Sequence, residues 1–286
     1  MNRTDGLAHH RDMLYRTYEP PPPLDRFIEN FWYWEGTPLP HQKELIMASP
    51  LVGLLVKLDE DELRHYDGEQ FDVLHRSRGI AVSGPSTSHF AIDAVQTKIM
   101  GVQFKAGGAY PFFGPSAHVL CNEHVALEDI WGAHAGRVHH RLVEAPSVDA
   151  KFSVLFAALL QRLCRPLRRH PAVELALARF NCTSDVTRVG TVAAESGLSR
   201  RRFIEVFAEE VGFTPKLYLR LQRFKRVLYH VYGASHVDWS EVAYLHGYAD
   251  QPHFNREFRE FSGLTPSQYL ARPGQGPGHA VLTESH

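Results

Sequence analysis

The sequence predicts an α+β multidomain chain: an amino-terminal β-sandwich or barrel-like domain with following helices, then an all-α domain. Three observations carry that expectation. The first half reads as short apolar or alternating runs punctuated by Gly and Pro. From about residue 115 the apolar spacing shifts to three and four, the period of a helix. The last third contains one pattern written twice. With 286 residues, 44% of them hydrophobic, the chain has enough apolar surface for two cores.

In chain order, the first dozen residues (MNRTDGLAHHRD) lack the apolar stretch of a signal peptide, and no run reaches 18 apolar residues. A cytoplasmic protein with no membrane partner is therefore expected. The run Phe31-Trp-Tyr-Trp34 is read as sandwich core rather than as the wall of an apolar pocket. Strands are expected over 51–58, 79–83, 90–95 and 98–104, interrupted or bounded by Gly53, Gly84-Pro85 and Gly107-Gly108. Helices are expected from 115 to 164, closing the first domain at 13–164. The stretch 165–171, RPLRRHP, is basic and bracketed by prolines, which interrupt helix at both ends, and reads as a linker. A helical domain over 172–272 and a flexible Pro/Gly tail over 273–286 complete the division.

The formal charge of -1 argues against a polybasic protein that binds any polyanion through bulk charge. That balance hides an asymmetry. Residues 1–136 carry 11 Lys+Arg against 18 Asp+Glu, whereas 137–170 carry 7 against 2 and 171–272 carry 13 against 11. An acidic half followed by a basic half suggests two jobs, with a polyanion as one candidate partner.

Enzyme signatures are weak. Cys121, Cys164 and Cys182 make no disulfide framework. His118, Cys121 and His124 form the tightest potential metal cluster but lack the second ligand pair of a structural zinc site; they read as ordinary helix-surface or core residues. The Ser83–His89 stretch lacks the strand-turn-helix context of a nucleophile elbow, and the glycines of 101–114 have neither phosphate-loop nor dinucleotide spacing. No catalytic residue, metal or cofactor is assigned.

The repeat is the informative feature. Val192-Ala193 and Gly197 recur as Val242-Ala243 and Gly247, and Phe203, Phe207, Gly212 and Thr214-Pro215 as Phe254, Phe258, Gly263 and Thr265-Pro266. Each copy has helix-turn-helix arithmetic. A small apolar pair sits on a short helix, and four residues later a glycine can turn the chain. Ser199 or Asp250 then caps a second helix whose phenylalanines at i and i+4 leave one face free. Asp238-Trp-Ser-Glu241 has capping-box spacing. Between the copies, 215–232 reads as one helix of 18 residues, roughly 27 Å long. That approaches the ~34 Å between successive major grooves on one side of DNA.

The free faces suit a nucleic acid. Arg200-Arg201-Arg202 opens the first such helix, where cations oppose the helix dipole unless an anion is near. The second exposes Gln251, His253, Asn255 and Arg256, types that reach base edges.

These residues resemble a known family. The stretch from about 186 to 270 is similar to the DNA-binding domain of AraC/XylS-type transcription regulators, in which one chain carries two helix-turn-helix motifs; GYADQPHFNREFREFSGLTPSQY is the most specific part. The resemblance implies base contacts at Arg201, Ile204 and Glu205 in the first recognition helix and at Gln251, Pro252, His253 and Arg256 in the second. Phosphate contacts are expected from Ser199, Arg200, Arg202, Lys216, Arg220, Arg223, Asn255 and Thr265. Glu205 departs from the pattern, standing where many relatives carry Arg; a carboxylate accepts from cytosine N4 but repels phosphate. The amino-terminal half, with GVQFKAGGAYPFFG at 101–114, is similar to β-rich sensor domains that precede such DNA-binding halves, and implies no particular ligand.

The expectation is a sequence-specific regulator with double-stranded DNA as partner, RNA polymerase and a second copy of the chain as further partners, and an unidentified small-molecule effector. Two alternatives stand beside it: a metal-dependent barrel enzyme tethered to DNA by the repeat, and a ligand-independent DNA-binding co-regulator.

Overall fold

A computed structural model describes residues 13–37, 43–59, 62–94, 97–182 and 188–282. The first dozen residues, the end of the expected 90–95 strand and the last four residues of the tail lie outside this range. The strands, in order, are β1 (Leu14–Tyr18), β2 (Ile28–Glu35), β3 (Lys43–Ile46), β4 (Gly53–Lys57), β5 (Glu62–Asp67), β6 (Val73–Arg78), β7 (Ile80–Ser83), β8 (Phe90–Asp93), β9 (Lys98–Phe104) and β10 (His124–Ala126). Then come α1 (Leu127–Trp131), α2 (Ala133–Glu144), α3 (Val148–Gln161), α4 (Pro171–Asn181), α5 (Val189–Glu195) and α6 (Arg200–Val211). They are followed by α7 (Pro215–Val231), α8 (Trp239–Leu245), α9 (Gln251–Ser262), α10 (Pro266–Leu270) and β11 (His279–Val281).

The strands form two antiparallel sheets, one ordered β1-β2-β9-β4-β7-β10 and the other β11-β3-β8-β5-β6. Alternation along each strand decides what each face meets. In the first sheet, Phe31, Leu54, Val56, Val82, Met100, Val102 and Phe104 share one core with Val138 and Leu142 of α2 and Phe152 and Leu155 of α3. The residues between them turn the other way. Trp34, Ala81 and Ile99 gather with Leu63 of β5, joining the two sheets. The aromatic run of β2 is thus divided between the two faces, and Phe31, Tyr33 and Trp34 are buried.

The second sheet covers its outer face with the helical half. Leu45, Met47, Tyr66 and Ala91 belong to the same cluster as Leu221, Phe224, Phe258 and Phe261 of α7 and α9. A separate cluster assembles α4, α5 and α6 around Phe180, Phe203, Phe207 and Tyr218.

Three expectations change. Residues 115–123 are turns and bends rather than helix, and 124–126 are a strand because they pair antiparallel with β7, His124 opposite Ser83. Their place at the sheet edge overrides the local helical spacing.

The tail is ordered over its described part. β11 adds antiparallel to the edge of β3, with Ala280 opposite Leu45, and Ala280 is fully buried. An unpaired strand edge offers a row of donors and acceptors, and here the chain's own end takes them. His279 Nδ1–H donates to the buried carboxylate of Glu44 at 2.8 Å, anchoring the addition.

The 165–171 stretch is seated, not free. Arg165 donates to the carbonyls of Tyr110, Phe113 and Gly114 at 2.8–3.2 Å and stacks 4.1 Å over the Tyr110 ring. Long arginines satisfy several loop carbonyls at once, which a reading of local charge does not reveal.

Candidate nucleic-acid interface

Both repeats fold as the spacing requires. Gly197 and Gly247 turn the chain between helices at φ +72° and +71°, a region closed to most residues with a Cβ. Ser199 accepts from Arg202 N–H at 3.3 Å and Asp250 from His253 N–H at 2.7 Å, so each second helix has a side-chain cap. Asp238 accepts from the N–H groups of Ser240 and Glu241 to start α8. Buried Phe203 and Phe207 turn the opposite face of α6 outward, and Phe254 and Phe258 do the same for α9.

On α6, Arg200, Arg201, Arg202 and Glu205 are exposed, and Ile204 is half-buried against the core of its own module. The anion that three arginines at a helix start demand is found within the helix. Glu205 accepts from Arg201 Nε–H at 2.9 Å and lies 3.5 Å from Arg202 Nη1. The Arg201 hydrogen bond holds the Glu205 carboxyl below its ordinary range.

On α9, Gln251, Pro252, Asn255 and Arg256 are exposed, while His253 packs edge-on against Tyr248 with centroids 5.5 Å apart. Gln251 is already oriented, its Oε1 accepting from Ser240 Oγ–H at 3.0 Å. Beside it lies a cavity of about 250 Å³ lined by Trp239, Gln251, Asn255, Arg256, Arg259 and Thr265. Arg259 was absent from the residues singled out in the sequence; its position two turns along the face of Gln251 and Asn255 was the available signal.

The eight residues expected on phosphates divide into groups. Arg200, Arg202, Lys216 and Asn255 are exposed. Ser199 and Thr265 serve as helix caps, Thr265 within a capping box with Gln268. Arg220 and Arg223 are committed elsewhere. Both bind Glu257, at 2.8 and 2.7 Å, and Arg220 also binds Glu260 at 2.6 Å. A buried carboxylate must keep its cationic partners, so these two arginines lock α7 to α9 rather than reach outward.

The β-rich half grips both modules away from these faces. Ala117 N–H donates to Glu209 O at the end of α6, and Ala48 N–H donates to Phe261 O near the end of α9. Among the described residues, no group of three His, Cys, Asp or Glu side chains is arranged to hold a metal ion. His65 and His124 instead stack face to face, 3.7 Å between centroids, which aims their nitrogens along parallel planes.

Residues 192–272 match the helix-turn-helix domain family, and residues 16–126 match a domain of unknown function (DUF6597). The carboxyl-terminal third is therefore a helix-turn-helix domain, preceded by the β-rich half and the helices α1 to α4. Among solved structures, the chain is similar to ToxT from Vibrio cholerae at 10% identity and TM-score 0.40, over 91% of this chain and 98% of that one. A fatty-acid-bound form of ToxT matches at 11% identity and TM-score 0.39, over 92% and 96%. The AraC-like transcriptional activator CuxR matches at 11% identity and TM-score 0.21, over 86% and 89%. No curated protein matches. No helix among the described residues is long and apolar enough to cross a membrane.

Proposed function

We propose that the chain is a sequence-specific transcription regulator that sets α6 and α9 into successive major grooves of one DNA duplex. The observation that carries this reading is the pairing of two exposed, polar recognition faces on helices whose back faces are buried in phenylalanine cores. The connecting α7 has 17 residues, roughly 26 Å, a length suited to the groove repeat of ~34 Å.

In this reading Arg201, Ile204 and Glu205 meet bases in one groove and Gln251, Pro252, His253 and Arg256 in the next. Arg256 suits guanine O6/N7 and Gln251 suits adenine N6/N7. Ile204 offers only an apolar contact, such as a thymine methyl. Ser199, Arg200, Arg202, Lys216, Asn255 and Thr265 hold phosphates, joined by Arg259. Residues 13–164 act as the sensing or dimerising part and 172–272 as the DNA-binding part. Because the β-rich half touches the ends of both α6 and α9, a change in it alters their relative placement. Effector binding or pairing with a second chain is the natural source of such a change, and RNA polymerase the natural target.

The test is selection of bound duplexes from a random pool by the full chain. Enrichment of a defined site, with affinity falling steeply as salt releases counterions, supports the reading. Equal affinity for every duplex contradicts it.

A further inference from the structure

Among the described residues the two sheets end in four strand edges: β1 and β10 in the first, β11 and β6 in the second. An open edge is a row of unpaired N–H and C=O groups that accepts another strand unless something blunts it. β10 and β11 are only three residues long. β6 carries a bulge at Leu74, which opposes no residue of β5, with the cations Arg76 and Arg78 beyond it. β1 has none of these defences. Its five residues pair with β2 in unbroken register, from Leu14 opposite Glu35 to Tyr18 opposite Phe31. Among the described residues no strand pairs with its outer side and no loop backbone bonds there. Leu14, Tyr15 and Tyr18 are exposed along it.

The sequence of this edge is complementary to itself. When a two-fold axis perpendicular to the sheet relates two antiparallel strands, opposed residues share a face, so the axis passes through one residue. An axis at Arg16 sets two guanidinium groups opposite each other, which is unfavourable. An axis at Thr17 sets Thr17 against its own copy, Arg16 opposite Tyr18, and Tyr15 opposite Glu19, the last two pairs each formed twice. Arg16 and Glu19 form no hydrogen bond or ion pair among the described residues, so neither has to give up a partner. Tyr18 is held in place, stacked on Phe152 of α3 with centroids 5.6 Å apart, and offers a ring to an arginine. Tyr15, on the other face, offers its hydroxyl to a carboxylate. The buried Pro20 that follows has no N–H and ends the edge.

We propose that β1 is a docking edge for a second copy of this chain, which adds antiparallel about Thr17 and joins two six-stranded sheets into one of twelve strands. One strand from each copy makes a small interface, so the dimer is weak and concentration-dependent, with a dissociation constant on the order of micromolar. It brings two pairs of recognition helices into one assembly. The proposal deepens the regulator reading by naming the surface through which two chains pair, and rests on that reading for its biological consequence alone.

The full chain, without DNA, is followed by analytical ultracentrifugation from about 1 to 100 µM, and by amide exchange at both ends of that range. A monomer–dimer equilibrium is expected, with exchange over 14–18 slower at the higher concentration. Thr17→Lys sets two ammonium groups opposite each other and weakens the dimer about 10-fold. On mild oxidation Thr17→Cys cross-links to its own copy beyond the level of the parent chain, whose native cysteines are the control, and Arg16→Cys does not. The proposal is overturned if the chain stays monomeric throughout, if it forms open-ended assemblies, or if Thr17→Lys pairs like the parent. It is overturned equally if Arg16→Cys cross-links as well as Thr17→Cys. Should Thr17→Lys fail to fold, the two cysteine variants decide. Loss of specific DNA binding would sink the regulator reading and leave these measurements as they stand.

Discussion

Arg223 reaches from α7 to Glu257 on α9 at 2.7 Å, and the carboxylate it meets is only 2% exposed. Arg220 approaches the same carboxylate at 2.8 Å from one turn earlier. Arg223 also donates to Gly247 O at 3.2 Å and stacks 3.9 Å over Tyr248, so one side chain binds the interhelical turn, α7 and α9 together. The second recognition helix owes its orientation to this arrangement. Arg223→Ala should therefore destabilise the chain by about 2–3 kcal/mol, since it removes charge-assisted hydrogen bonds from a buried acceptor. Urea unfolding measures this, and a loss below about 0.5 kcal/mol, the scale of ordinary surface changes, would contradict it.

Acid should weaken the fold in two windows. Burial lowers His65 to about 2 and His124 to about 4, so both stay neutral in the fold while the unfolded chain takes up protons. Their contribution is complete above pH 6.5 and is lost as pH falls below it, down to about 4 for His124 and on to about 2 for His65. Burial pushes Glu257 up, but Arg220 and Arg223 outweigh it and hold the carboxyl below 4.5. Its contribution is present above pH 4.5 and is lost only below that. Unfolding free energy followed from pH 7 to 3 should begin to fall with the histidines, from about pH 6.5, and fall more steeply once Glu257 joins them below 4.5. His65→Leu should flatten the upper window and Glu257→Gln the lower one.

Glu205 restrains the arginines beside it. The Arg201 side chain is 91% exposed yet paired with Glu205 at 2.9 Å. Glu205→Ala should free Arg201 and Arg202, raising affinity for arbitrary DNA and steepening its salt dependence by about one or two phosphate equivalents. An unchanged salt slope in a binding titration would show that the pair does not regulate backbone contact.

Ending the chain at Arg272 removes β11 and the His279–Glu44 contact. The expected cost is about 1–3 kcal/mol, with faster amide exchange along β3. Thermal unfolding and hydrogen exchange check it; unchanged protection over Lys43–Ile46 would mean the strand addition is dispensable.

The helix-turn-helix modules were legible because their determinants are local. Gly197, Ser199, Phe203 and Phe207 specify turn, cap and buried face within about ten residues, and Gly247 to Phe258 repeat the pattern. Charged strands were not. β5 (ELRHYD) and β6 (VLHRSR) carry polar residues on both faces, because one face meets the other sheet and the other meets helices or solvent. Glu257 reads as a surface carboxylate in REFRE until α7 brings two arginines to it. The tail was opaque for the same reason: β11 is a strand only because β3, more than 230 residues away, offers an edge.

The most direct test is footprinting of the full chain on its selected duplex, repeated with Arg201→Ala and Arg256→Ala. The account predicts two specified tracts about 10–10.5 base pairs apart. Arg256→Ala should cost about 1–3 kcal/mol and relax one tract, and Arg201→Ala should affect the other. A single tract, or two variants that weaken every sequence equally, would contradict reading by two recognition helices.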